Sequence, residues 1–522
     1  MKKTIDDKVF ALLYWIFGIL FLLILALVLC LGEKAEYAYK ARFALPNFIY
    51  LFVGIFTWLA LRGLEESIIV KIHPKISSEK GIFCATIIFA GMLVYLVYNY
   101  YFITGWDAGL LVSVADGIAS GNIFTLDSYE SSYFSMYPNN LFLVFLFSII
   151  MKVAGRSGIL VVQCVLLAVT GYLLFKIVYQ VRRSYKSAWN TWILYVMILG
   201  VCPWVSIPYS DSIGIFFPVC LLYIYLQAEY QKKVKWWFLF GMVGIVAYKI
   251  KPQLFIVVLA VCVVKGIQFL NDIISKLQIG WKRRVKGFSL TLGGMIASLL
   301  IVHVAVDSLP IAIDSKKEFG PAHFVMMGLN REMDGGFFYD DVLYTAEQTS
   351  EKRTAANLKV IQNRLEQYGV PGILEHLVKK TLNNYADGTW SWGAEGEFFL
   401  EYMENKNNTL SPFLKSLYYC SGENYQYYSG YAQTMWLLVL LGCALAFIFR
   451  KKKEPQSPLE IVMILSLVGL TIFEWIFESR ARYLYCYIPL YIFLACLGLE
   501  RMIRFGAEKN EFIKKIFGYN NA

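Results

Sequence analysis

The chain has 522 residues, 58% hydrophobic, 17% aromatic and only 17% charged, with a formal net charge of +11. Ordinary soluble domains carry about a quarter charged residues, so that class is excluded. Apolar runs of ~18 or more residues recur along the chain, each enough to cross ~30 Å of hydrocarbon as a helix. Transmembrane strands would be about half as long and alternating in character, so the expected fold is an all-α polytopic membrane protein. The basic residues stand in short clusters between apolar runs, which orients a membrane protein rather than binding a polyanion; no nucleic acid partner is expected. Most of the ten cysteines sit singly inside apolar runs, with neither a CxxC pair nor a disulfide framework.

In chain order, the run 9 to 31 follows "MKKTIDDK" and is too long for a signal-peptide core, so it reads as a retained signal anchor. Further spans are predicted near 47 to 62, 82 to 102, 158 to 180, 188 to 204, 212 to 228, 235 to 249, 253 to 268, 288 to 306, 433 to 449, 459 to 477 and 483 to 500, about twelve crossings in all. The basic clusters "MKK", "VKIHPK", "RRSYK" at 182 to 186, "QKKVK" at 231 to 235, "KRRVK" at 282 to 286, "RKKK" at 450 to 453 and the tail from Arg501 occupy every second loop. The positive-inside rule then puts both termini in the cytoplasm and the other loops outside. The loop from Ile103 to Asn140 agrees, holding Asp107, Asp116, Asp127 and Glu130 and no lysine or arginine.

The run "LFLVFLFSIIMKVAG" at 141 to 155 has the look of a crossing, but counting it would turn "RRSYK" outward. It is read as a helix in the outer interface with both ends outside. From 307 to 432 the composition turns polar. There "EKRTAANLKVIQNRLEQYG" reads as an amphipathic helix with Leu358, Ile361 and Leu365 on one face and Gly369 just past its end, followed by a short helix in "PGILEHLVKKTL". The expected organisation is an N-terminal transmembrane module at 1–306 that includes a catalytic external loop at 103–157, a mainly helical extracytoplasmic insert at 307–432, and C-terminal helices with a cytoplasmic tail at 433–522.

Residues able to do chemistry gather at the outer ends of the crossings. "GWDAG" supplies Trp106 and Asp107, and the stretch after it predicts a surface helix with Leu110, Leu111, Val114 and Ile118 on one side and Ser113, Asp116 and Gly117 on the other. Asp107 is placed either as the N-cap of that helix or as a reactive carboxylate. Other external loops bring Tyr137 and Asn139 of "YPNN", Asp211 of "IPYSDS", Lys249, Lys251 and Gln253 of "YKIKPQ", and Arg480 and Arg482 of "FESRARY". Ionisable groups at membrane depth are costly and face water or each other, so their convergence predicts a site. The four cations run against the positive-inside trend. They suit a lipid-linked phosphate, or else they snorkel and pair with Glu474 and Glu478. A carboxylate beside a lipid phosphate fits glycosyl transfer, because the phosphate needs no general acid to leave while the acceptor hydroxyl needs a base. Asp107 is the first candidate for that base and Asp211 the second.

The order "GWDAG", amphipathic helix, "MYPNNL", "YSD", "KPQ" and "ESRARYLYCYIPLYIFLAC" resembles the GT-C glycosyltransferases, more narrowly the bacterial relatives of the protein mannosyltransferase and lipid A aminoarabinose transferase group (glycosyltransferase family 39-like). The resemblance covers most of the chain as an architecture, on short motifs. It implies a catalytic aspartate at Asp107, a second acidic residue at Asp211, and donor-phosphate contacts from Lys251 and from Arg480 or Arg482. It also implies an inverting reaction from a polyprenyl-phosphate sugar to a cell-surface glycan, glycolipid or protein. Two crossings precede the one leading to Asp107 where the family usually has one, and the usual acidic pair is here a lone "WDAG"; a divalent cation is left open.

In the insert, "HFVMMGLNREMDGGFFYDD" and "YADGTWSWG" suit sugar recognition and turn-and-core packing equally, with His323 and Arg331 as candidate lining residues. The competing class is a transporter or lipid-linked glycan flippase or polymerase. Transporters tend to carry repeats and charges near the bilayer midplane, whereas these charges cluster at the outer ends of crossings.

Overall fold

The computed structural model describes residues 5–64, 79–100, 105–274, 281–395, 408–451 and 457–510. The clusters "MKK" and "VKIHPK", Lys452 and Lys453 of "RKKK", Ile103 and the tail beyond Asn510 lie outside the described residues. Among the described residues nine helices are long and apolar enough to cross a membrane. The other predicted spans are helical too but shorter, at Asn47–Leu64, Tyr185–Leu199 and Lys235–Ile250. The chain is therefore an all-helical polytopic membrane protein.

Its helices approach closely where glycine permits. A Cβ at Gly498 would stand 1.9 Å from the carbonyl oxygen of Gly442, so the helices Tyr425–Ile448 and Ile488–Lys509 meet backbone to backbone. Small residues at such crossings are how helices pack tightly in lipid, where no hydrophobic force drives them together.

Two sets of loops collect at opposite faces. On one face, Arg182 pairs with Glu500, Lys451 pairs with Glu508, and Arg501 lies 3.6 Å from Glu460. These residues come from the clusters read as cytoplasmic. The turn in "RRSYK" follows from its residues: Arg183 takes a left-handed conformation (φ 54°) that ends one helix, and Ser184 caps the next through Ser187 N–H at 3.2 Å.

On the other face, the first large loop is stitched to the insert. Phe124 and Ile311 form an isolated bridge, Asp314 N–H donates to Ser135 Oγ at 2.9 Å, and Phe319 N–H donates to the Met136 carbonyl at 3.0 Å. The 32–46 loop joins the same layer, as Ala38 N–H donates to Asp334 at 2.9 Å and Tyr39 N–H to Asn383 at 3.1 Å. The helix Leu141–Arg182 is broken at Gly155 (φ 66°, ψ −173°). Its first residue follows Asn140, which donates to the Tyr133 hydroxyl at 3.0 Å, and Arg156 lies 3.6 Å from Asp116. Both ends of the 141–154 segment thus lie in the loop layer, and the chain leaves that face after the break.

Two expectations about the insert change. The helix Ser350–Tyr385 does break at Gly369, but it leaves Leu358 and Leu365 exposed. It turns Arg353, Asn357 and Arg364 inward instead. Arg353 donates to the carbonyls of Lys316, Glu318, Thr345 and Gln348, and Arg364 forms a two-pronged pair with Asp341 at 2.7 and 2.9 Å. A guanidinium that satisfies several loop carbonyls outweighs a narrow leucine stripe. The helix Tyr425–Ile448 also begins ahead of the predicted boundary at 433.

Candidate active site

Prolines set the local geometry at the loop face. "YPNN", "CPWVS" and "KPQLF" each place proline at the first position of a short 3-10 turn, at Pro138–Asn140, Pro203–Ser206 and Pro252–Phe255. Proline is pre-set for that position and lacks only an N–H that would have no partner there. These turns interrupt the chain abruptly, the second and third at the ends of crossings, and aim the adjoining polar residues at one another.

Asp107 opens the helix Asp107–Ala119, which buries Ala108, Leu111, Val112, Val114 and Ala115 and exposes Ser113 and Asp116. The residue at the N-cap is Trp106, with no side-chain capping bond, so the capping role expected of Asp107 is not the one it has. Its carboxylate instead accepts from the Tyr209 hydroxyl, 3.5 Å away, and faces the Tyr133 hydroxyl and the Arg482 guanidinium. Asp107 is open to solvent at one side and crowded by protein on the others. That crowding raises its carboxyl above the ordinary value of 3.8, against the opposite pull of Arg482 and the two hydroxyls.

Behind Asp107 lies an ion array. Lys251 pairs with Asp211, and Arg482 Nε stands 3.5 Å from the other oxygen of Asp211. Arg482 is packed among rings, 4.5 Å from the centroid of Trp106, 5.5 Å from that of Tyr209 and 5.7 Å from that of Trp204, which suits a weakly hydrated guanidinium. Glu395 spans both arginines, with Arg480 Nη1 at 3.0 Å from one oxygen and Arg482 Nη1 at 2.6 Å from the other. Glu478 lies 4.0 Å from Arg480 and accepts from the Tyr483 hydroxyl at 3.3 Å. Burial nevertheless raises its carboxyl above the usual range. Deeper, Lys380 donates to the carbonyls of Gly328 and Phe477 at 2.8 and 2.7 Å, and its burial brings it down to about 7.

Asp107 differs from its neighbours. The side chains of Asp211 and Glu395 are 1% and 6% exposed and each is bound by two cations. Asp107 is exposed and, among the described residues, forms no ion pair.

Of the residues singled out in the sequence, Trp106, Asp107, Asp211, Lys251, Arg480 and Arg482 come together. Tyr137 borders them through Tyr133, with ring centroids 5.2 Å apart. Gln253 is buried as a brace, donating to the Tyr483 carbonyl at 2.7 Å and accepting on its own carbonyl from Tyr487. Asp211 lies within this group but is closed off by its cations, which leaves it no free face for an acceptor. Four residues are not brought in. Asn139 is exposed and donates to the Asn140 side chain at 3.3 Å. Lys249 lies over Tyr248 at 5.9 Å. His323 is fully buried between Phe319 and Phe324, bonds Thr345 at 2.8 Å, and is pushed down by burial to about 4. Arg331 stacks on Tyr368 at 3.9 Å in the insert.

"YADGTWSWG" resolves as turn and core. Asp387 accepts from Thr389 N–H, Thr389 Oγ1 and Ser391 N–H, while the Trp204 indole donates to the Thr389 carbonyl at 3.2 Å. Its consequence for the site is Glu395, a residue the sequence reading did not single out. The signal was an acid just beyond two tryptophans in a stretch too apolar to be a free loop. Among the described residues no three His, Cys, Asp or Glu side chains are grouped to hold a metal ion.

A family model described as "Conserved hypothetical integral membrane protein" matches residues 2–503. No curated protein matches the chain. Among solved structures, ArnT from Cupriavidus metallidurans, determined bound to undecaprenyl phosphate, aligns at 14% identity over 83% of this chain and 80% of that one, with a TM-score of 0.32. At that TM-score nothing about the site is carried across.

Proposed function

The chain belongs to the family of conserved hypothetical integral membrane proteins, and we propose that it is a membrane glycosyltransferase that moves a sugar from a polyprenyl-phosphate donor to a cell-surface glycan, glycolipid or protein. The observation that carries this reading is Asp107: a solvent-open carboxylate that forms no ion pair among the described residues, at the mouth of an array of buried arginines and lysine, where a crossing meets the loop layer. A lipid-borne donor and a water-borne acceptor meet only at such a boundary.

In this reading Asp107 takes the proton of the acceptor hydroxyl as that oxygen attacks the anomeric carbon. The bond from that carbon to the phosphate oxygen breaks with inversion, and the lipid phosphate leaves with both electrons. A carboxyl raised by crowding makes Asp107 a better base than an ordinary aspartate. Arg480, Arg482 and Lys251 stabilise the departing phosphate, and Asp211 holds two of these cations in place. The site would lie on the extracytoplasmic face, with both termini in the cytoplasm, membrane lipids around the helices, and 103–157 and the insert 307–432 as its outer parts.

The test offers radiolabelled polyprenyl-phosphate hexoses to membranes containing the wild-type protein or Asp107→Asn. Wild type transfers label to envelope material; the variant, which keeps the shape and loses the base, falls by about 100-fold or more. Transfer by the variant at the wild-type rate would remove Asp107 from the chemistry.

A further inference from the structure

The cations assigned to the donor phosphate are already occupied. With Glu395 across Arg480 and Arg482, and Asp211 across Arg482 and Lys251, each of the three faces a carboxylate. A phosphate arriving at this array would meet no cation without a carboxylate already beside it. Yet the guanidiniums are not saturated: among the described residues Nε of Arg480 and Nε of Arg482 are buried and donate no hydrogen bond, and Arg482 as a residue is 5% exposed. Buried donors of this kind cost free energy unless a ligand meets them. Asp211 and Glu395 also differ in origin. Asp211 sits on the Ser210–Gly214 turn beside a crossing, while Glu395 is the last residue of the four-residue helix Trp392–Glu395, contributed by the insert.

We propose that Glu395 is an internal stand-in for the substrate's phosphate: its two oxygens hold the paired guanidiniums in the resting protein, and the donor phosphate displaces it. This rests on the reading of Arg480 and Arg482 as the phosphate site. The two anions match in what they present, since a carboxylate and a phosphate each offer two oxygens to a pair of guanidiniums. The exchange replaces one anion by another, so the arginines are never left buried without a counter-charge, which would be the costly state. It also makes the insert responsive to the donor, because the segment that carries Glu395 must shift for the phosphate to enter. Apparent affinity is then lowered by the fraction of molecules in which Glu395 is seated.

The experiment measures equilibrium binding of undecaprenyl phosphate, and of uncharged undecaprenol as a control, to the full-length protein in detergent. Wild type is compared with Glu395→Gln, which keeps the shape without the charge, and with Glu395→Asp, too short to span both arginines. Glu395→Gln is expected to bind the phosphate about tenfold more tightly, as for a site seated shut nine times in ten, with undecaprenol unchanged and Glu395→Asp between. Equal or weaker phosphate binding by folded Glu395→Gln overturns the proposal. Where Glu395→Gln, which leaves both arginines without that counter-charge, does not fold, Glu395→Asp decides: phosphate binding by Glu395→Asp no tighter than wild type overturns the proposal. Failure of wild type and both variants to distinguish the phosphate from the alcohol removes the phosphate site itself. Tighter binding without sugar transfer by wild type leaves this exchange standing and overturns the transferase reading.

Discussion

At Asp107 the protein stabilises a carboxylate with the charge of Arg482 and with two hydroxyls, against the cost of crowding, and this sets how its charge responds to pH. Crowding favours the protonated form, and Arg482, then the Tyr133 hydroxyl, Arg480 and the Tyr209 hydroxyl, favour the ionised one. The balance is a carboxyl raised above the ordinary value, so the acidic limb of a pH profile of kcat/KM lies above 3.8. Tyr209→Phe removes a donor to the ionised form, which must move that limb to higher pH. On the plateau the loss should be no larger than about tenfold, the low end for a hydrogen bond to a charged group at ~1.5 kcal/mol. An unmoved limb in transfer assays from acid to neutral pH would mean that Tyr209 does not support Asp107. The reactive residues were legible because charge at the end of an apolar run is conspicuous. Their carboxylate partner was not: Glu395 lies 85 residues from Arg480 in sequence, and no local pattern links them.

At the scale of elements, apolar length was a reliable signal, while an amphipathic face was reliable for the helix Asp107–Ala119 and not for the helix Ser350–Tyr385. Each predicted span is a helix because in lipid the backbone must satisfy its own hydrogen bonds. In the insert no such constraint applies, and the loop carbonyls around Arg353 decide which face of the helix Ser350–Tyr385 turns inward. The run 141 to 155 shows how one residue separates a surface helix from a crossing. Gly155 at φ 66° and ψ −173° occupies a region essentially closed to residues with a Cβ, and a Cβ there would meet no atom within 4 Å. Space is therefore not the obstacle to Gly155→Ala; backbone strain is. The substitution should cost about 1–3 kcal/mol and lower the melting temperature in detergent. An unchanged melting temperature would show that the break is set elsewhere. A loss of comparable size for the exposed substitution Val153→Ala would show that the effect is not one of backbone conformation.

For the whole molecule, the separation of loops into two faces was readable from charge. A run of basic clusters in every second loop has few topologies that satisfy it, and the structure pairs Arg182, Lys451 and Arg501 with acids on a face opposite the Asp107 layer. The stitching of the insert to the first loop was not readable, because the Phe124–Ile311 bridge and the bond from Asp314 to Ser135 join segments with no shared motif. The two faces need not cost the same to substitute, but they must differ in what reaches them from outside an intact cell. Asn139 is exposed on the loop face that carries Asp107, and Lys451 is exposed on the opposite face. A membrane-impermeant maleimide added to intact cells should label Asn139→Cys above the background of the unsubstituted protein, and should label Lys451→Cys only after the cells are permeabilised. The reverse pattern would place Asp107 in the cytoplasm and exclude any acceptor on the cell surface. Labelling of both positions in intact cells would mean that the loops do not divide between two sides of a membrane.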